Sequence, residues 1–346
     1  MARKLLWGSL VLAPVTFVAR YVFHADATVL FVLAAAALIP LAWLIGEATD
    51  QAGEHTGPGI GGFLNASFGN APELIIALFA VADGLPNVVR GSLAGSVVSN
   101  VLLVLGLAML LGPDRSQLDR RSLLLQLGIV LVAVVLFLVP AVPGFHGHTE
   151  RHSLALLSLP VAIVLLGLYA VVTTRNLRRH HAAHTEEARA GAWTLSRALV
   201  ALAAATIVTS FISEILVHSL DGFAKAAGLS QFFIAAVIVA IVGNAAEHGG
   251  AIVIARRGKL ELSSEIAISS SAQVAVFVIP AVVVLSFVIG HPLALSFRPL
   301  ELIGMAGAAA GVAYTVRDGK SRRWEGGLLI SAYAAFAVAV YLAGDR

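Results

Sequence analysis

Eleven mostly apolar stretches follow one another along the chain, each long enough to cross a bilayer at about 20 residues per span. They cover 5–23, 27–46, 59–82, 87–111, 122–142, 153–173, 194–217, 230–254, 264–290, 299–316 and 326–343. Inside lipid each run must satisfy its own peptide groups, which an α-helix does. The chain is 58% hydrophobic and 12% charged, where soluble domains carry about 25% charged residues. The expected fold class is therefore an all-α polytopic membrane protein of about 11 transmembrane helices, with no sizeable soluble domain. The first run follows Arg3 and Lys4 as a signal peptide would. It is long for a signal core and lacks a small-x-small site before Ala27, so it reads as a retained span. The chain has no cysteine, which excludes disulfides, thiolate metal sites and thiol nucleophiles together.

Lysine and arginine distribution orients these spans. With the N-terminus in the cytoplasm, 17 of the 23 basic residues fall on the cytoplasmic side, in clusters at 3–4, 115–121, 175–197, 256–259 and 317–323. Arg20, Arg90, Arg151, Lys225, Arg298 and Arg346 fall on the other. These charges read as a topology signal, and no nucleic-acid partner is expected. The Arg- and His-rich segment 174–193 is the one long connection, a cytoplasmic linker. It divides the chain into a leading helix, 1–26, a first five-helix repeat, 27–173, and a second, 194–346. Because five is odd, the two repeats must cross the membrane in opposite senses, an inverted-repeat layout that recurs in transporters with a midplane site.

Within each half, one hexad places a carboxylate in the middle of a long apolar run. Gly69-Asn70-Ala71-Pro72-Glu73-Leu74 is echoed 174 residues later by Gly243-Asn244-Ala245-Ala246-Glu247-His248. Asn and Glu three apart share a helical face, and the Gly and Pro positions allow the helix to start or break there. A carboxylate at that depth costs several kcal/mol unless it faces a polar interior, which marks it as functional. The echo continues in the next span, where Ser96, Ser99 and Asn100 correspond to Ser269, Ala272 and Gln273. Glu47 and Glu214 correspond near the end of the preceding span and are candidate gate or proton-entry carboxylates, with Asp50, Glu54 and Asp221 nearby.

Pooled at the midplane, these residues form an oxygen-rich shell. It holds the carboxylates of Glu73 and Glu247, the amides of Asn70, Asn244, Asn100 and Gln273, and the hydroxyls of Ser96, Ser99 and Ser269. His248 adjoins Glu247 but points to another face of the helix. Such a shell, of formal charge about −2, suits a hard dication that accepts 6–8 oxygens, calcium above all. Buried carboxylates without a cation are expected to hold protons, which an arriving dication displaces. Competition of that kind suffices for antiport by alternating access. Calcium and protons are then the transported substrates, the lipid bilayer is the remaining partner, and no cofactor is expected.

The two hexads, with Ser99-Asn100-Val-Leu-Leu-Val-Leu-Gly and Gln273-Val-Ala-Val-Phe-Val, resemble the signature repeats of the calcium/proton exchangers, a branch of the cation/calcium exchanger superfamily. The likeness runs from about Ala42 to Pro280 and implies that Glu73 and Glu247 are the essential ion-binding carboxylates, with the four amides around them. It further implies export or sequestration of calcium in exchange for protons. Pro72 stands where the family often has Thr, and the central loop offers only Glu186 and Glu187 in place of the acidic stretch many members carry. The compact chain without a long N-terminal extension points to the cytoplasmic membrane of a prokaryote.

Plainer readings exist for several of these residues. Intramembrane amides also serve as interhelical contacts, and serines in apolar helices bond their own backbone. His180, His181 and His184 read as part of a solvated basic loop. A sodium/calcium exchanger of the same fold is the nearest alternative, and the neutral Gln273 weighs against sodium coupling. No His-Glu-x-x-His metal motif supports an intramembrane hydrolase, no phosphate-binding Gly-Lys-Ser/Thr loop supports an ATP-driven pump, and an inverted repeat fits alternating access better than a passive channel.

Overall fold

In a computed structural model, residues 2–145, 151–180 and 193–345 are described, and every extended element among them is helical. The leading helix comes as two pieces, α1 (Ala2–Ser9) and α2 (Leu12–Tyr21). Pro14 has no N–H to offer Leu10, which interrupts the expected single span. The first half then comprises α3 (Ala27–Phe68), α4 (Ala71–Ala82), α5 (Pro86–Leu111), α6 (Arg120–Gly144) and α7 (His152–His180). The second comprises α8 (Leu195–Ala227), the bent pair α9 (Gln231–Gly243) and α10 (Ala245–Arg256), α11 (Leu260–Ile289), α12 (Pro299–Thr315) and α13 (Arg323–Ala343). Among the described residues eight helices are long and apolar enough to cross a membrane, nine when α9 and α10 count as one span bent by 59°.

The boundary expected between spans 27–46 and 59–82 is not a loop. Helix α3 continues without interruption to Phe68, and the break falls at Gly69-Asn70, directly before α4. Residues 47–56 are polar yet helix-forming, and Glu47, Asp50 and Glu54 recur at helical spacing on one side of α3. Glu47 and Asp50 line a cavity and Glu54 is exposed, so the helix carries all three without burying them in an apolar setting. The segment 181–192, with His181, His184, Glu186 and Glu187, lies outside the described residues.

The packing repeats when the halves are exchanged. Helix α3 packs on α8 and α6 on α12, each pair formed by equivalent helices. Contacts α4–α8, α4–α11 and α5–α13 have the counterparts α10–α3, α10–α5 and α11–α7. Helices α5 and α11 each contain a π-helical stretch at the repeated motif, Ser99–Val104 and Val274–Val278, and α9 has a third at Ile234–Val239. Single π turns inside α-helices occur often at functional sites because they redirect side chains and loosen the carbonyl ladder. Trp7 meets Trp43 and Trp193 with ring centroids 5.4 and 6.1 Å away, an amphipathic cluster typical of a membrane–water boundary.

Candidate functional site

Each hexad ends one helix and starts another. Asn70 is the N-cap of α4 and Asn244 that of α10, both with non-helical backbone, so Glu73 and Glu247 sit in first turns of helices. The positive end of each helix favours a carboxylate there. Glu73, Asn70, Asn100, Asn244 and Ser96 are all buried, and the structure brings them into one cluster at the interface of the halves.

Two amide pairs cross that interface. Asn70 Nδ2 donates to Gln273 Oε1 at 2.8 Å, and Asn100 Nδ2 donates to Asn244 Oδ1 at 3.1 Å. In the repeat register these are the same contact, hexad asparagine to the amide of the following span, made once in each direction. Asn244 Nδ2 further donates to Ser96 Oγ at 2.9 Å and to Ala240 O at 2.9 Å. The Glu73 side chain lies over Gly243, where an added Cβ would stand 3.4 Å from its Cγ. Gly243 directly precedes the N-cap of α10, so the Glu73 side chain lies beside the start of the helix whose first turn carries Glu247.

Some expected ligands are occupied by their own helix. Ser99 Oγ donates to Ser96 O and Ser269 Oγ to Ile266 O, both at 3.2 Å, although Ser269 also borders the cavity described below. Two residues outside the expected set belong to the cluster. Ser270 Oγ donates to Glu247 Oε2 and accepts from Asn100 Nδ2 at 3.2 Å. His248 Nε2 lies 2.9 Å from Asn100 Oδ1, so the face to which it points is also the interface. The repeat comparison hid Ser270 because its counterpart is the apolar Val97. The run Ser269-Ser270-Ser271 was the available signal, and Ser271 Oγ likewise crosses the interface, to Val97 O at 2.9 Å.

A cavity of about 380 Å³ reaches this cluster from the side of Trp43, lined by Gly46, Glu47, Asp50, Glu247, Ser270 and Gln273 among others. Glu47 is thus placed on the approach to Glu247. Its repeat partner Glu214 does not line this cavity; it is half-buried on α8, where its carbonyl is 2.9 Å from His218 Nδ1. His218 in turn lies 3.6 Å from Asp83, at the end of α4.

The cluster's chemistry is acceptor-rich. Among the described residues, Asn70 Oδ1 and Glu73 Oε2 are buried oxygens with no hydrogen-bond donor, and no lysine or arginine bonds to the cluster. Buried acceptors left without donors cost free energy that a cation or a proton recovers. Among the described residues no three His, Asp or Glu side chains gather as they would around a resident metal ion. The donor set suits a passing hard cation bound by carboxylate and amide oxygens.

Fold and cluster together define a multi-pass membrane protein whose two halves share one buried, oxygen-lined site. The chain belongs to the sodium/calcium exchanger protein family, whose pattern it matches over residues 27–177 and 197–342. It is 38% identical over 330 residues to the Ca(2+)/H(+) antiporter ChaA of Bacillus subtilis (strain 168), covering 92% of this chain and 93% of that protein. It is 33% identical over 364 residues to a Ca(2+)/H(+) antiporter of Aphanothece halophytica, covering 97% and 96%. The solved structure of native YfkE superposes with a TM-score of 0.84 at 34% identity, over 99% of this chain and 100% of that one.

Proposed function

We propose that the chain is a secondary antiporter that exchanges Ca2+ for H+ across the membrane by alternating access. Glu73 and Glu247 form the shared site, loaded with calcium in one direction and with protons in the other. The observation that carries this reading is the cluster itself: two carboxylates from opposite halves and four amides, with buried acceptors that have no donor among the described residues. The names and extent of the similar antiporters support it. Calcium is substrate, not resident cofactor.

The sequence of events follows from the charges. Ionised, the two carboxylates neutralise one dication, and Asn70, Asn100, Asn244 and Gln273 complete an oxygen shell. Protonation removes the charge and releases the ion, and the neutral site can cross the cycle in its place. Relative movement of halves 27–173 and 194–346 exposes the cluster to each side in turn. Glu47 and Asp50 line the open approach, where their carboxyls attract cations and can pass protons to Glu247. The excess of Lys and Arg on the side of this approach supports a cytoplasmic opening, with the N-terminus also inside. In a prokaryotic cytoplasmic membrane the proton gradient then drives calcium outward.

The test is calcium uptake into proteoliposomes under an imposed pH gradient. Uptake driven by the gradient without sodium supports the reading, and acidifying the calcium-loading side should raise the calcium concentration needed for half-maximal rate. Flux that requires a sodium gradient and ignores pH would replace it with sodium/calcium exchange.

A further inference from the structure

On the face away from the cavity mouth, the way to the cluster is shut. The space behind Glu73, bounded by Ile76, Ser92, Leu93, Ser96 and Val239, amounts to about 10 Å³. That is at or below the roughly 10–15 Å³ needed to hold one water. The closure is helix α9 pressed onto α5. An added Cβ at Gly95 would stand 2.1 Å from Ala236 O, and one at Gly91 would stand 2.9 Å from the Phe232 ring.

What holds α9 there comes from a distant part of the chain. The first N–H groups of a helix lack intrahelical partners. In α9 those of Gln231 and Phe232 donate to the carboxylate of Asp345, at 3.0 and 2.9 Å. The neighbouring Gly344 carbonyl accepts from Arg298 Nη1 at 2.7 Å, and the Arg298 guanidinium lies 3.8 Å over the Phe232 ring. Gln231 Nε2 also donates to Asp221 Oδ1 at 2.8 Å, tying the same turn to the end of α8. A carboxylate on a helix N-terminus and a guanidinium on an aromatic face are both favourable contacts. Here both converge on Phe232, the carboxylate on its backbone N–H and the guanidinium on the ring that fills the space beside Gly91.

We propose that the Gly344–Asp345 segment is a latch that, together with Arg298, holds α9 on α5 and keeps the site closed on this face. Asp345 and Arg298 are positioning residues: neither is in the cluster, and both act through Phe232 and the first turn of α9. In the cycle, which rests on the alternating-access reading above, opening to this face requires α9 to leave Gly91 and Gly95. The latch sets how often it does so.

The absence of cysteine in the chain makes the test direct. Ser92 lines the sealed space, and its hydroxyl donates to the Val89 carbonyl of its own helix, at 3.1 Å. In the full chain carrying Ser92→Cys, reconstituted in liposomes, a membrane-impermeant maleimide is applied to the face where Gly228 lies. Adding Asp345→Ala or Arg298→Gln should speed labelling roughly tenfold, the change expected from losing a helix cap. Because Arg298 is buried and its variant could fail to fold, Asp345→Ala and a chain ending at Ala343 carry the test alone if needed. Unchanged labelling in a variant that stays monodisperse overturns the latch. Calcium uptake by the unsubstituted chain in the same liposomes separates the two ideas. Uptake with unchanged labelling sinks the latch alone, and faster labelling without any uptake leaves the latch standing while the exchange reading falls.

Discussion

Asn70 and Gln273, 203 residues apart, are joined by a 2.8 Å hydrogen bond across the interface of the two halves, and Asn100 with Asn244 repeats that contact in the opposite sense. An exchanged pair of this kind makes the site a property of both halves at once. Relative movement of the halves would alter both contacts, which under the proposed function would couple ion binding to conformation.

These amides are neutral, so losing one should weaken the site without abolishing it. Gln273→Ala or Asn100→Ala removes an oxygen donor and strands its partner, at a cost of about 1–3 kcal/mol. The half-saturating calcium concentration should rise roughly tenfold with some exchange retained. Unchanged calcium affinity in both variants, measured by calcium-dependent uptake, would return these residues to a purely structural role.

Ser270 makes the two glutamates unequal. It holds Glu247 by a hydroxyl, whereas the repeat places Val97 opposite and leaves Glu73 Oε2 without a donor. Ser270→Ala should raise the calcium concentration for half-maximal uptake several-fold with little change in maximal rate, since the carboxylate remains but is less fixed. Ser270→Thr should restore it. Equal kinetics for the Ala and wild-type proteins would show that Glu247 needs no such support.

The close approach of α5 and α9 at Gly95 is also testable. Gly95→Ala forces a methyl group against the Ala236 carbonyl, a backbone atom that cannot swing aside. Overpacking of this kind costs about 1–3 kcal/mol. A lower unfolding temperature in detergent is expected, and Gly128→Ala, at an open position, should show no such loss.

The all-helical fold is legible in the sequence because lipid imposes one demand on every span, and the hexad repeat marks equivalent helices whose packing recurs between the halves. The end of the predicted span 27–46 was misjudged for a physical reason. Glu47, Asp50 and Glu54 looked like the start of a solvated connection, yet they belong to a helix that lines a cavity. Polarity in a membrane protein reports water, and water also lies inside. Repeat symmetry does not reveal Ser270, whose counterpart is Val97, and helical geometry directs His248 away from Glu247 without showing that the other face is also part of the interface. The closure by Phe232, Arg298 and Asp345 brings together residues 231–345 that no local pattern connects.

In the proposed cycle Glu73 and Glu247 each carry both calcium charge and protons. Glu73→Gln and Glu247→Gln keep the shape and one carbonyl oxygen but remove a charge and a titratable group. The decisive measurement is calcium uptake into proteoliposomes under an imposed pH gradient, scanned over calcium concentration for each variant. Gradient-driven uptake should be absent in both and should not return at high calcium, because the proton-loaded return is lost along with affinity. Normal maximal uptake at high calcium in either variant would contradict the account, showing that the replaced carboxyl is no obligatory proton carrier.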